Sequence, residues 1–181
     1  YEALTVHSPI FRARTVGVGY LSPELAIDHG VSGPNLRASG VPLDLRKDQP
    51  YDAYPQLDFD VIIEEGGDAW SRSRVRFKEF RQSLSLIRQC AKRAPRTGPF
   101  QGRGRLKIDA GMQRYRAVEI SRGQLGVYLL SDGGAGPYRS KHRSPSFTNL
   151  QVLPDLFKGQ RFSDAIAILG SLDIVLGEVD R

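Results

Sequence analysis

The chain has 181 residues, 40% of them hydrophobic and 25% charged, a balance that suits one globular unit with a real core. No apolar run nears the ~20 residues of a membrane-spanning helix, and the single Cys90 rules out an internal disulfide or a four-thiolate metal site. The formal net charge of +6 is uneven: Arg72 to Lys107 carries twelve Lys/Arg against one acid, Glu79, and the remainder is net acidic.

A segment that basic would meet RNA, anionic lipid or an acidic protein face, or be a solvated or subunit-facing helix. The first residue is Tyr1 rather than Met, so the sequence reads as a fragment or a processed product. Ser22 as N-cap, Pro23 at the first helical position and Glu24 in the first turn start a short helix. His29-Gly30 closes it. Val31 to Gly40 is a tight Gly/Pro loop with Arg37 at its centre, where an Arg is more often a structural tie than a catalytic group. Tyr51 and Tyr54 anchor irregular chain beyond it.

Asp68 is the N-cap of the longest helix, which runs to about Arg93 before Pro95 forbids continuation. Phe77, Phe80, Leu84, Ile87 and Ala91 recur at three- and four-residue steps as one apolar stripe, with Arg72, Arg76, Arg81, Arg88 and Lys92 mostly off it. Cys90, near the edge of that stripe, reads as a small packed residue. A Gly/Pro/Arg-rich loop follows over about 95–105.

The period then changes to two. Tyr115 to Ser121 and Gln124 to Leu130 form a hairpin turning at Ser121-Arg122-Gly123, and Tyr138 to Arg143 is a short basic strand. The intervening Asp132 to Pro137 stretch lacks the phosphate-loop pattern. Helix follows from Phe147 to Phe157, with Pro154 a possible break, and Ser163-Asp164 caps the last helix, Ala165 to about Leu172. The tail holds Ile166, Ile168, Leu169, Leu172, Ile174, Val175, Leu176 and Val179, too much apolar area for a solvent-facing end, so its charges need partners or a task.

Asp173, Val175, Glu178 and Arg181 stand where nickel–iron hydrogenase large subunits read D-P-C-x-x-C-x-x-H, with Val and Glu at the cysteine positions and Arg at the His. The ending G-S-x-D-x-V-x-G-E-V-D-R resembles the D-subunit family of NADH–quinone oxidoreductase (respiratory complex I), which is related to those large subunits but has lost their metal. Two further strings carry the resemblance: G-x-x-G-P-N-L-R-A-S-G-V-P-x-D-x-R-K-x-x-P-Y-x-x-Y from Gly30 to Tyr54, and E-x-x-R-G-x-L-G-x-Y-L-x-S-D-G-G-x-x-P-Y-R-x-K-x-R-S-P-S-F-x-N-L from Glu119. Gln124, His142 and the stretch 98–104 depart from the family's pattern.

The resemblance implies an α+β fold: one long helix, a small antiparallel sheet, short capped helices and a buried C-terminal tail, hydrogenase large-subunit-like. It also implies that residues 1–181 are a single unit, the C-terminal portion of a longer polypeptide. That polypeptide packs against the small subunit carrying the terminal iron–sulfur cluster, and a quinone headgroup enters between them. The chain binds no cofactor of its own; quinone is the substrate, and NADH and the iron–sulfur clusters belong to partner subunits. The family's quinone-binding Tyr and His lie in the other half and have no match here, so this stretch alone would be inactive. Membrane contact runs through membrane-arm subunits, with the peripheral arm on the cytoplasmic side of a bacterial inner membrane.

A quinone site needs an apolar wall, polar groups at the carbonyls and a proton relay. Val175 is the candidate wall, Asp173 the candidate titratable group, and Ser146, in a segment like the hydrogenase P-[ST] stretch facing the metal, a candidate lining group. Each has a plainer reading: Asp173 as a loop tie, Ser146 as a helix cap. Glu178 and Arg181 read as a structural ion pair at the former metal site. Arg139, Lys141, His142 and Arg143 would pair with the tail acids or face the partner subunit. Metal binding is not expected, because His7, His29 and His142 are scattered and Cys90 is alone. Nucleic-acid binding is the alternative from charge alone; the sequence lacks aromatic-plus-basic strands and zinc or helix-turn-helix spacing.

Overall fold

A computed structural model describes residues 2–94, 97–98 and 108–180. The basic loop expected over about 95–105 lies outside them except for Thr97 and Gly98. The described chain is α+β. Helices α1 (Pro9–Thr15), α2 (Pro23–Asp28), α3 (Pro34–Arg37) and α4 (Leu45–Asp48) lead to the 25-residue α5 (Ala69–Arg93). Strands β1 (Gln113–Ile120), β2 (Gly123–Leu130) and β3 (Arg139–Arg143) follow, then α6 (Pro145–Leu150), α7 (Leu153–Phe157), α8 (Ala165–Leu172) and α9 (Leu176–Val179).

Local chemistry sets most of the boundaries. Ser22 Oγ accepts from Leu25 N at 3.2 Å to start α2, and Asp68 Oδ1 accepts from Ser71 N at 2.8 Å to start α5. The strands form an antiparallel meander in the order β1-β2-β3, with Ile120 paired to Gly123 across the two-residue turn Ser121-Arg122. The turn docks onto the loop after α2. A Cβ on Gly33 would overlap the Gly123 Cα, so neither backbone leaves room for a side chain there. Asn149 Nδ2 clamps the contact by donating to the carbonyls of Ser32 (3.4 Å) and Arg122 (3.1 Å).

The core gathers Leu21, Ala26, Val31, Leu36, Val152, Leu156, Ile168 and Leu172 from α2, α3, α7, α8 and the loops between. α5 lies against it through α3 and α8. The face of α5 turned inward is Val75 and Leu86 with Arg72, which is fully buried. That reverses the expected division of the helix. The apolar stripe lies on the outside, with Phe80 64%, Leu84 44% and Ile87 63% exposed. Arg72 instead points inward, donating to Ser171 Oγ and to the carbonyls of Gly67 and Gly19, each at 2.9 Å. Arg76 donates to the Ser171 carbonyl at 2.6 Å and to Asn35 Oδ1 at 2.8 Å. Neither arginine is a solvated or subunit-facing charge. Sequence periodicity finds the stripe but not the side that the core takes.

Other expectations need correcting. The loop from Val31 to Gly40 contains α3. The helix expected over Phe147 to Phe157 is two helices, α6 and α7, the second with Pro154 in its first turn, where its missing N–H costs nothing. Ser163-Asp164 belongs to a 3-10 turn, Phe162–Asp164, and gives α8 no side-chain cap. Cys90 is exposed, not packed. The tail is buried at Ile168 and Leu172, whereas Ile166 (83%) and Leu176 (79%) are exposed and Leu169 is 44% exposed.

Burial pushes the Arg72 guanidinium down to about 9, helped by the neighbouring charge of Arg76, so it stays cationic at neutral pH. Arg72→Met keeps most of the stem and strips three hydrogen bonds from buried acceptors. We expect it to lower the unfolding free energy by roughly 3 kcal/mol, measured by urea denaturation. A loss near zero would mean that Arg72 does not hold the fold.

Candidate functional site

The tail turns at Asp173. This residue sits in the left-handed region, φ +56° and ψ +51°, just past the end of α8. That position is ordinarily taken by Gly or Asn, because a side chain there crowds the following carbonyl. Two arginines flank it. Arg122 Nε, from the hairpin turn, donates to the Asp173 carbonyl at 3.1 Å and lies 3.6 Å from its carboxylate. Arg76 Nε lies 3.8 Å from the same carboxylate. The Asp173 side chain is 43% exposed and borders a hollow of about 370 Å³.

The far wall of that hollow is charged as well. Arg37 is 1% exposed and donates to Glu79 Oε1 at 2.8 Å, to Glu119 Oε1 at 2.7 Å and to the Leu43 carbonyl at 2.9 Å. Burial alone would lower its pKa; the charges of Glu79 and Glu119 outweigh that and raise it. Burial holds the Glu119 carboxyl above its ordinary value against the pull of Arg37. The sequence reading of Arg37 as a structural tie therefore agrees with its contacts: it joins α3, α5 and β1. Tyr51, expected as an anchor, accepts from Glu119 N at 3.1 Å and donates to Glu119 O at 3.2 Å.

On the other side of the tail, Ser144 Oγ caps α6 by accepting from Phe147 N at 3.5 Å. Ser146 is then not the cap, which corrects the plainer reading of that residue. Its hydroxyl is fully buried, donates to Glu178 Oε2 at 2.5 Å and accepts from Val175 N at 3.4 Å. One side chain on α6 thus fixes both the extended residue before α9 and the carboxylate within it. Ile174 packs against the core, and Val175, the next residue of an extended stretch, is half-buried.

Of the residues singled out from sequence, Ser146, Val175 and Glu178 are hydrogen-bonded together, and Asp173 lies two residues before Val175 on the side of the charged hollow. Arg181, the expected partner of Glu178, lies outside the described residues. Lys141, His142 and Arg143 border a second hollow of about 440 Å³ with Glu178 and Val179, and no ion pair joins them to the tail acids among the described residues. Arg143 donates instead to the Gly30 carbonyl at 3.0 Å. Among the described residues no three His, Cys, Asp or Glu side chains gather to hold a metal ion. The residues that sequence reasoning missed are Arg76, Arg122 and Asn35, whose Nδ2 donates to the Leu172 carbonyl at 3.1 Å. Their signal was present, since Asn35 and Arg122 both lie inside the strings that carried the resemblance.

Comparison with known sequences defines the class. The sequence model of the family described as "Respiratory-chain NADH dehydrogenase, 49 Kd subunit" matches residues 1–108 and 103–181. The chain is 48% identical over 182 residues to the D subunit of NADH-quinone oxidoreductase from Geobacillus thermodenitrificans, covering 99% of this chain and 50% of the relative. It is 48% identical over 184 residues to the D subunit from Syntrophobacter fumaroxidans, with 100% and 49% covered, and 45% identical over 182 residues to that from Bacillus cytotoxicus, with 99% and 50% covered. The chain belongs to this respiratory-chain 49-kDa family. It spans about half the length of the curated relatives it matches.

Ser146→Ala removes the donor to Glu178 and the acceptor for the Val175 amide. The expected cost is about 1–3 kcal/mol, felt locally. Hydrogen exchange at Val175 to Val179 should quicken while the middle of α5 keeps its protection; unchanged exchange in the tail would refute the tie. Metal analysis of the purified chain is expected to find no stoichiometric nickel or iron, because Val175 offers no ligand and Glu178 is a poor substitute for a thiolate.

Proposed function

We propose that this chain is the C-terminal portion of a subunit of a proton-translocating NADH–quinone oxidoreductase and contributes part of its quinone cavity. The observation that carries the reading is the tail corner, where Asp173 keeps a carboxylate in a backbone conformation that glycine would adopt at less cost. An outlier of that kind, held by two arginines and by Ser146 two residues further on, is the usual form of a pre-organised site.

Reduction of a quinone to a quinol consumes two electrons and two protons. In this reading the electrons come from an iron–sulfur cluster in the small partner subunit, and the chain's own residues handle position and protons. Val175 forms the apolar wall against the ring. Ser146 holds the Val175 backbone and the Glu178 carboxylate, so that the wall does not drift. Asp173, partly exposed and bordering the charged hollow, passes a proton toward a quinone oxygen and recovers one from solvent. Arg76 and Arg122 are positioning residues that keep the carboxylate in place. Glu178 with Arg181 closes the former metal position as an ion pair. The complex would sit with this arm on the cytoplasmic side of a bacterial inner membrane; among the described residues no helix is long and apolar enough to cross one.

Nucleic-acid binding loses support from the geometry. Arg72 and Arg76 are spent inside the protein, and Arg74 and Lys78 pair with Glu64. The basic segment therefore offers fewer free cations than its sequence promises.

Membranes holding wild-type amounts of assembled complex test the site. Val175→Met adds bulk to the wall and should shift the concentration response to a quinone-site inhibitor; in a closed core it would instead overpack and cost roughly 1–3 kcal/mol of stability. Asp173→Asn tolerates the same backbone, keeps the shape and removes the titratable proton, and should lower turnover about tenfold or more. If inhibitor response and turnover both stay at wild-type values, the two residues are scaffold.

A further inference from the structure

The outer face of α5 has no partner in the described chain. Phe80, Leu84 and Ile87 stand exposed in one row along its middle turns. The row is bordered by two hollows. One, of about 620 Å³, is walled by Leu57, Leu86, Ile87 and Ala91; the other, of about 560 Å³, by Ala3, Phe77 and Phe80. Ridges of large side chains with troughs alongside are what a second helix packs into. A row of this size on a long amphipathic helix is more than scattered surface hydrophobicity.

The charges beside the row point to the occupant's chemistry. Arg88 and Lys92, four residues apart next to Leu84 and Ala91, make no ion pair among the described residues. Elsewhere on α5 the cations are used: Arg74 and Lys78 on Glu64, Arg81 on Glu2. A complementary surface is therefore apolar along its centre and acidic along one flank. The lengths point to its source. The chain spans about half of each relative, so the family's fold contains as much sequence again that must pack somewhere.

We propose that the outer face of α5 is the docking surface for the other half of the same polypeptide, which covers Phe80, Leu84 and Ile87 with an amphipathic helix carrying acids opposite Arg88 and Lys92. This rests on family membership and on the exposed row. It does not depend on the quinone reading and can fail separately from it.

The test supplies the missing half of the Geobacillus thermodenitrificans relative as a separate polypeptide, co-expressed with this chain. The two should copurify in equal amounts. Cys90, exposed on α5 beside the same trough, is a built-in reporter: its labelling by a maleimide should fall about tenfold in the complex relative to the chain alone. The double variant Phe80→Glu and Ile87→Glu should reduce recovery of the complex at least about tenfold, with the melting temperature of the chain itself little changed because both side chains are exposed. Arg88→Glu with Lys92→Glu should weaken the complex most at low salt, which a fold defect would not reproduce. Three results would each overturn the proposal: the two unmodified chains fail to copurify; the complex forms undiminished with the double Glu variant while Cys90 labels freely; or Cys90 is already protected in a dimer of this chain, so that a second copy takes the face.

Discussion

The structure depends on two arginines of α5 reaching the end of α8. A helix end leaves its last carbonyls without intrahelical donors and carries a partial negative charge. Arg76 supplies both remedies at once, donating to the Ser171 and Leu172 carbonyls with its cation at the negative pole of α8. Arg72, fully buried one turn earlier, holds Ser171 Oγ and two loop carbonyls. Burying two neighbouring guanidinium groups is unfavourable by itself. It is tolerated because nearly every N–H is matched by an oxygen; the Arg76 Nε is the exception on this pair. Once α8 is fixed in this way, the chain beyond Leu172 must leave in one direction, and Asp173 makes that turn.

From that corner the polar groups run in both directions. Toward the sheet, Asp173, Arg76, Glu79, Arg37 and Glu119 alternate in sign around one hollow. Each buried charge has a partner of opposite sign, so removing any one leaves its neighbours uncompensated in a poorly solvated place. Toward α6, a single serine hydroxyl carries the tail. The candidate site is thus an assembly of five separate segments: α3, α5, the hairpin turn, α6 and the tail. No part of it is local in sequence, and its rigidity comes from the packing that joins those segments.

Much of this was legible in the sequence where the determining chemistry is local. Ser22-Pro23-Glu24 and Asp68 name their helix starts, because an N-cap acts within three residues. The hairpin and the end of α5 are fixed by alternation and by a proline. The errors arise where a residue has two competent neighbours. Ser144 and Ser146 can each cap α6 by spacing, and only the path of the incoming chain decides that Ser144 does, leaving Ser146 for Glu178. The α5 stripe misled for a related reason. Periodicity reports that a face will be covered, not by what, and the buried face here is built from Arg72 and Val75 against loops and α8.

What the sequence determined by itself is therefore the set of elements, the family, and the identities at the tail: Val175 and Glu178 where a metal-binding relative would need cysteines. These follow from short-range periods, caps and motif spacing, which survive without knowledge of what packs on what. Tertiary structure alone decided which arginines are internal, that Asp173 adopts a left-handed turn between Arg76 and Arg122, and that Ser146 holds Val175 and Glu178 together. The reason is physical. A guanidinium on a stem of several bonds, or a hydroxyl with two possible partners, takes its role from whichever oxygen long-range folding brings within about 3 Å, and that distance is set by contacts between residues up to about 140 positions apart.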